Sequence, residues 1–233
     1  KNVKIEKDDL IIEPSAGNGA FINKIKEITN NYLFYDLEPE HKEIIKQDYL
    51  DLDYNIILNN NIHIIGNPPF GRQSSLAIKF IKKSCEFGNT ISFILPKSFK
   101  KNSLKKYFSL SFHLIFEYDL PEKSFLINNK EHNVPCVFQI WEKKTYNRNN
   151  IEKLIPNNFI FVKQSENPDI SFRRVGINAG QIDTNINKSI QSHYFIKFTN
   201  GNTIENNIKL LSSIQFENNN TVGPKSISKQ ELI

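Results

Sequence analysis

Methionine is absent from this chain, tryptophan occurs once, and cysteine is found only at Cys85 and Cys136. Two cysteines without metal or redox spacing cannot build a disulfide framework, a zinc ribbon or a thioredoxin-type pair, so both read as buried free thiols in a reducing compartment, and no metal is expected. No charged leader precedes an apolar stretch and no apolar run has membrane-spanning length, which leaves neither a secretion signal nor a membrane partner to expect. No internal repeat is evident. Gly17 and Gly19 lack the third glycine of a dinucleotide fingerprint, which argues against a nicotinamide or flavin site. What remains, at 233 residues, 39% hydrophobic content and a net charge of +5, is enough for one full core and a small lobe. The positive balance agrees with a nucleic-acid partner without demanding one.

The pentapeptide Gly66-Asn67-Pro68-Pro69-Phe70 carries the most chemical information. Each proline ring fixes φ, removes an N–H donor and restricts the residue before it. The Asn67 side-chain oxygen and the Pro68 carbonyl can therefore be held toward one exocyclic amine, while Phe70 offers a face for a flat ring. Alone, Asn-Pro-Pro-Phe is also an ordinary turn. Its position favours chemistry, because His63-Ile64-Ile65-Gly66 reads as a short buried strand and ligands of open α/β sheets bind beyond the carboxyl ends of strands.

Upstream, Leu10-Ile11-Ile12-Glu13 reads as a strand, followed by the turn Pro14-Ser15-Ala16-Gly17-Asn18-Gly19-Ala20-Phe21 and by Ile22, Ile25 and Ile28 at helical spacing. Gly17 and Gly19 permit positive φ and close approach of a nucleotide-like ligand. Tyr32-Leu33-Phe34-Tyr35 runs into Asp36, near the spacing at which an acid meets ribose hydroxyls. Ile44 to Leu50 places Asp48 at another strand end, where it could accept from an adenine amine. Either acid alone could equally be a solvated turn residue or a helix cap.

In this order the set resembles the S-adenosylmethionine-dependent amino-group DNA methyltransferases, especially those modifying adenine N6. Glu13 to Gly19 is similar to their cofactor motif, with Glu13, Pro14, Ser15, Gly17 and Gly19 as contacts. Asp36 is similar to their ribose-binding acid, Gln47-Asp48-Tyr49-Leu50 to their adenine-contacting motif, and Asn67-Pro68-Pro69-Phe70 to their catalytic motif. The likeness covers about residues 9 to 143. It implies an α/β, Rossmann-like class I methyltransferase fold, a mostly parallel twisted sheet with an antiparallel edge. It also implies S-adenosylmethionine as cofactor, touched by Asn67, with Phe21 and Tyr49 either flanking its adenine or serving only as core residues. DNA is the favoured partner, with a role in restriction-modification. RNA adenine-N6, guanine-N2 and protein glutamine methyltransferases share the catalytic motif and stay open as alternatives, as does a catalytically dead nucleic-acid-binding module. The oligomeric state is open, a homodimer included. Related enzymes often carry another cofactor-contacting segment upstream, whereas Lys1 lies just before the first motif and methionine is absent. Residues are therefore expected to be missing, and motif order weighs more than exact intervals.

An aromatic amine is a poor nucleophile because its lone pair is delocalised into the ring. Two acceptors, each taking one N–H, localise that pair and oppose the positive charge that develops on nitrogen. A base in a duplex must first be rotated out and stacked on an aromatic wall. The resemblance offers Phe70 as one wall and, more loosely, Phe125 as another, with hairpin packing as the other reading of Phe125.

Further along, Ser75 to Phe87 reads as an amphipathic helix, Ile91 to Leu95 as a buried strand, and Leu114 to Tyr118 with Val134 to Trp141 as paired final strands. Within the basic stretch Lys97 to Lys106, Lys97, Lys100 and Lys101 read as either phosphate contacts or a solvated helix face. Residues 1–146 are expected to form the catalytic domain, Lys143 to Asn150 a linker, and 147–233 a small β-rich extension. Strands are expected at Asn158 to Val162, Ile170 to Phe172 and His193 to Phe198, with a helix cap at Ser226 or Ser228. Arg173 and Arg174, before a Gly-framed turn, could grip phosphate or read guanine edges. The extension either recognises the target or continues the main sheet. The wealth of Asn, Ile, Lys, Phe and Tyr is that of an A/T-rich coding sequence, as in several bacteria, protists and large viruses. The expected location is cytoplasmic or nucleoid-associated if bacterial, and host cytoplasm or virion if viral.

Overall fold

Unbroken apolar runs, rather than alternating ones, are what parallel strands covered on both faces require, and the first strand of the chain is buried at all four positions. The computed structural model describes residues 2–54, 61–127, 130–150, 152–216 and 225–233. They form two compact units, residues 1–151 and 152–233.

The first unit contains β1 (Leu10–Glu13), α1 (Ile22–Ile28), β2 (Asn31–Asp36), β3 (Ile45–Lys46), β4 (Ile62–Gly66), α2 (Ser75–Phe87), β5 (Thr90–Pro96), α3 (Asn102–Lys105), β6 (Phe112–Asp119), β7 (Phe125–Ile127), β8 (Lys130–His132) and β9 (Cys136–Lys143). Seven strands make one sheet in the order β3-β2-β1-β4-β5-β9-β6. β1 pairs in parallel with β2 on one side and β4 on the other, and β5 continues the parallel series. β9 runs antiparallel between β5 and β6. The expected α/β fold with a mainly parallel sheet and an antiparallel edge is therefore what forms. The strand order reverses direction at β1 and β4, so the crevice beyond their carboxyl ends is the natural binding place.

Consecutive side chains of a strand face opposite sides of a sheet. Ile12 belongs to one core cluster, with Ile64, Phe80, Ile91, Phe93 and Trp141, whereas Ile11 belongs to a second with Ile22, Ile25 and Phe34. Trp141 stacks on Phe108 at 4.0 Å between ring centroids and donates Nε1–H to Gln139 Oε1 at 3.0 Å. Both cysteines are free, and Cys136 is buried.

The segment expected to be a linker is not one. Lys143 ends β9, and Arg148 reaches back to donate to three carbonyls, those of Lys105, Phe108 and Phe112, at 2.9 to 3.1 Å. Its guanidinium also lies 5.6 Å from the centre of the Trp141 ring. Apolar periodicity cannot reveal such a residue, because its role is to satisfy backbone acceptors at a chain reversal. Arg148→Ala is expected to lower stability by about 2–4 kcal/mol, the range for losing charge-assisted bonds to partly buried carbonyls. Urea unfolding followed by the fluorescence of Trp141, the single tryptophan, measures this through the transition midpoint.

The second unit has its own antiparallel sheet, so the extension does not continue the main one. Its elements are β10 (Phe159–Val162), β11 (Ile170–Arg173), β12 (Ile182–Asp183), β13 (His193–Phe198), α4 (Ile204–Ser212) and α5 (Lys229–Leu232). The sheet order is β10-β13-β11-β12 over a core of Ile170, Phe172, Ile196, Ile227 and Leu232. α4 was hidden in the sequence by asparagines. Thr203 caps it, and Asn207, 3% exposed, exchanges two amide hydrogen bonds with Asn200 at 2.8 and 3.1 Å. Of the two serines offered as caps, Ser228 opens α5 through a capping box with Glu231. The run Asn218-Asn219-Asn220 lies outside the described residues.

Candidate active site

Four parallel strands, β3, β2, β1 and β4, end side by side, and each hands its next residues to the same edge of the sheet. Glu13 closes β1, Asp36 closes β2, Asp48 follows β3, and Gly66 closes β4 just before Asn67. The two middle loops touch. Ser15 Oγ donates to the Asn67 carbonyl at 3.1 Å, and a Cβ on Gly66 would come within 3.2 Å of the Pro14 ring. Glycine at 66 thus leaves the Asn67 loop room to lie close against the first turn.

Among the described residues, Asn67 Oδ1 is buried without a hydrogen-bond partner. An orphaned buried acceptor costs on the order of 1–3 kcal/mol. Pro68 is buried and Pro69 exposed, while Phe70 is half-buried. The Phe70 carbonyl accepts from the amides of Leu76 and Ala77 at 3.1 and 3.3 Å, which ties the loop to the first turn of α2. Between them Gln73 and Ser74 both hold positive φ, 52° and 62°, a conformation that side chains other than glycine resist.

On the opposite loop Gly17 has φ +52°, and among the described residues no heavy atom beyond its chain neighbours lies within 4 Å of where its Cβ would stand. That open space beside the backbone is a cradle a ligand can enter. Asp36 orders the loop from behind: its Oδ2 takes the Gly17 N–H at 2.7 Å and its Oδ1 takes the Glu38 N–H at 2.9 Å. Each oxygen keeps a second lone pair for a further donor. Glu13 is 3% exposed, and its Oε2 has no hydrogen-bond partner among the described residues. Burial, with the neighbouring charge of Asp36 adding to it, pushes its carboxyl up to about 8. Gly19, at φ +80°, packs close to Ile22 and His41, and half-buried Phe21 lies against the second core cluster.

Of the two readings of Tyr49, the surroundings match the core one. Tyr49 is 1% exposed, with its hydroxyl 2.8 Å from Ser84 Oγ and its ring stacked on Phe80 at 5.4 Å. It is a core residue rather than an adenine wall. The cause is local: Asp48 Oδ1 accepts from the Leu50 amide at 2.9 Å, winding a 3-10 turn that directs Tyr49 inward. Lys97 and Lys100 both bond the Asp119 carboxylate, at 3.0 and 3.1 Å, so the basic stretch is partly neutralised. Burial works to raise the Asp119 carboxyl, but the hydrogen bonds from the two lysines outweigh it and hold it below its ordinary value. Lys101 lies half-buried at the turn into α3. Phe125 sits in β7, which pairs with β8 in a two-stranded ribbon. In the second unit the Arg173 Nε donates to the Val175 carbonyl at 3.3 Å, and Arg174 donates to Gln191 at 2.8 Å.

One residue at the site escaped sequence reasoning. Leu37 directly follows Asp36, the last residue of β2, and is 60% exposed. Its position just after a strand-end acid was the available signal. Among the described residues there is no group of three or more His, Cys, Asp or Glu able to hold a metal.

No family model matches the chain, and no curated protein matches it at a significant level. Among solved structures it is similar to an rRNA methylase from Streptococcus thermophilus, at 12% identity, covering 60% of this chain and 91% of that one with a TM-score of 0.42. It is also similar to the 23S rRNA methyltransferase ErmE, at 10% identity, 62% and 65% coverage and a TM-score of 0.45. A third is the N-methyltransferase NodS from Bradyrhizobium japonicum in complex with S-adenosyl-L-homocysteine, at 8% identity, 58% and 78% coverage and a TM-score of 0.42.

Proposed function

We propose that this chain is an S-adenosylmethionine-dependent N-methyltransferase that methylates the exocyclic N6 amine of adenine in DNA. The observation that carries the reading is the buried, unpartnered Asn67 Oδ1 on a proline-stiffened loop beside the Gly17 cradle. The residues present suit the cofactor. Gly17 leaves room at the backbone, Asp36 keeps acceptor capacity for ribose hydroxyls, and Asp48 and exposed Leu37 would offer an adenine ring a polar partner and an apolar face. When bound, S-adenosylmethionine supplies an electrophilic methyl group on a sulfonium sulfur.

The chain's own groups would do the rest. Asn67 Oδ1 and the Pro68 carbonyl each accept one N–H of the target amine, which directs the nitrogen lone pair out of the ring plane and stabilises the charge that grows on it. Ser15, by holding the Asn67 carbonyl, fixes the loop against the cofactor turn, so that nucleophile and methyl are aligned rather than found by diffusion. Phe70 offers its ring to the base that has left its stack.

Transfer of labelled methyl to duplex DNA, single-stranded DNA, RNA and protein in parallel, followed by nucleoside analysis, tests the reading. The expected product is N6-methyldeoxyadenosine; label confined to RNA or protein would replace the substrate, and no label in any arm would remove the activity. Asp36→Ala is expected to weaken cofactor binding by roughly ten- to a hundredfold, the worth of charge-assisted hydrogen bonds to a ligand. Calorimetric titration with the cofactor checks this, and an unchanged binding constant would contradict the ribose role.

A further inference from the structure

The second unit carries a groove of about 800 Å³ that the proposed methyl-transfer site does not use. Its floor is aromatic, with Phe161 of β10 and Tyr194 of β13 in an edge-on pair at 5.4 Å. Its walls are cationic. The Lys229 ammonium lies 4.4 Å from the centre of the Phe161 ring and 5.8 Å from that of Tyr194, and the Arg174 guanidinium lies 5.4 Å from that of Tyr194. Lys163 completes the rim. None of these three cations forms an ion pair with a carboxylate among the described residues, in contrast to Lys97 and Lys100 of the first unit. The Arg174 Nη2 is instead tied to the Gln191 carbonyl at 2.8 Å, which holds its plane in place. Ile190, 69% exposed, adds an apolar lip.

Unpaired positive charge above aromatic rings, in a concave site wide enough for a nucleotide, matches one ligand chemistry: a flat base joined to a phosphodiester. We propose that this groove binds an unpaired nucleotide of a single-stranded nucleic acid. The base stacks on the shelf made by Arg174 and Tyr194, and the flanking phosphates meet the ammonium groups of Lys163 and Lys229. A duplex is excluded by the same features, because its bases offer no free face to the shelf. The proposal stands on the second unit alone and does not require the methyl-transfer reading to hold.

The full chain, without cofactor, is titrated by fluorescence anisotropy against labelled ten-nucleotide oligothymidylate, oligouridylate, an abasic strand of equal length and a DNA duplex. Oligothymidylate and oligouridylate contain no adenine, so their binding is independent of methyl transfer. Single strands are expected to bind at least tenfold tighter than the duplex and the abasic strand; the comparison of thymidylate with uridylate shows which of the two strands is preferred. Lys163→Ala with Lys229→Ala is expected to weaken single-strand binding at least tenfold and to reduce the salt slope by about 1.4, two phosphates at ~0.7 each. Lys42→Ala with Lys209→Ala removes equal charge outside the groove and is expected to change affinity less than threefold. Tyr194→Phe should retain binding and Tyr194→Leu lose it, with circular dichroism confirming the fold of each. Equal affinity for duplex and single strand, or equal losses in the two lysine pairs, would overturn the proposal.

Discussion

Replacing Asn67 by alanine is expected to reduce methyl transfer by about three orders of magnitude or more while leaving cofactor affinity within about twofold. Removal of a single preorganised polar contact to the reacting group typically costs 10²–10³ in rate. Here the loss should lie at the upper end, because the acceptor is already desolvated and needs no reorganisation. The folded protein should also become no less stable, since the alanine removes a buried oxygen that has no partner. The three readings separate the possible roles of the residue. Lost transfer with retained binding identifies Asn67 as the acceptor of the target amine, whereas lost cofactor affinity in calorimetry would make it a cofactor ligand instead. A large fall in thermal stability would mean that the oxygen supports the loop.

The second large effect concerns Glu13, whose carboxyl is pushed up to about 8 by burial with a further contribution from Asp36. An unfolded glutamate titrates near 4.5. A carboxyl with a raised folded value favours the neutral form, so it costs nothing below the unfolded value. Its cost then grows as pH rises from about 4.5 and levels off above about 8. Every pH unit between the folded and unfolded values is worth about 1.4 kcal/mol, which puts the full penalty at about 4–5 kcal/mol as an upper bound. Glu13→Gln keeps the shape and removes the charge. It is expected to stabilise the ligand-free protein by about 2–4 kcal/mol at pH 9 and to have little effect at pH 4.5, as measured by urea midpoints at the two pH values. A gain of equal size at both would show that charge is not the cause. A cationic ligand in the crevice reverses the preference and favours the ionised carboxylate. Cofactor affinity of the natural protein should therefore rise between pH 7 and 8, while that of Glu13→Gln stays flat across the same range.

The two predictions probe the same crevice from opposite loops. One loop holds a buried acceptor with no partner among the described residues, and the other a buried acid whose carboxyl is pushed up by burial. Both features cost stability in the ligand-free protein, which is where the strained residues Gln73 and Ser74 also lie. Concentration of such costs at one edge of an otherwise well-packed sheet is itself the mark of a functional site.

Much of this was legible in the order of residues. Leu10 to Glu13, His63 to Gly66 and Ser75 to Phe87 announce their elements because periodicity and burial demand them, and Gly-x-Gly and Asn-Pro-Pro-Phe announce the loops because few other residues can adopt those backbones. Linear order also determined that four strand ends bearing Glu13, Asp36, Asp48 and Asn67 would meet at one edge, since a parallel sheet aligns its carboxyl ends. Only the tertiary structure decided which side chains face the crevice. A hydrogen bond from Leu50 to Asp48 sent Tyr49 into the core, Asp119 from β6 took up Lys97 and Lys100, and Arg148 turned an expected linker into part of the first unit. The same holds for the partnerless Asn67 oxygen and for the cations gathered over Phe161 and Tyr194. Charge neutralisation, burial and ring contacts are properties of neighbours in space, and the residues that supply them here stand tens of positions apart in the chain.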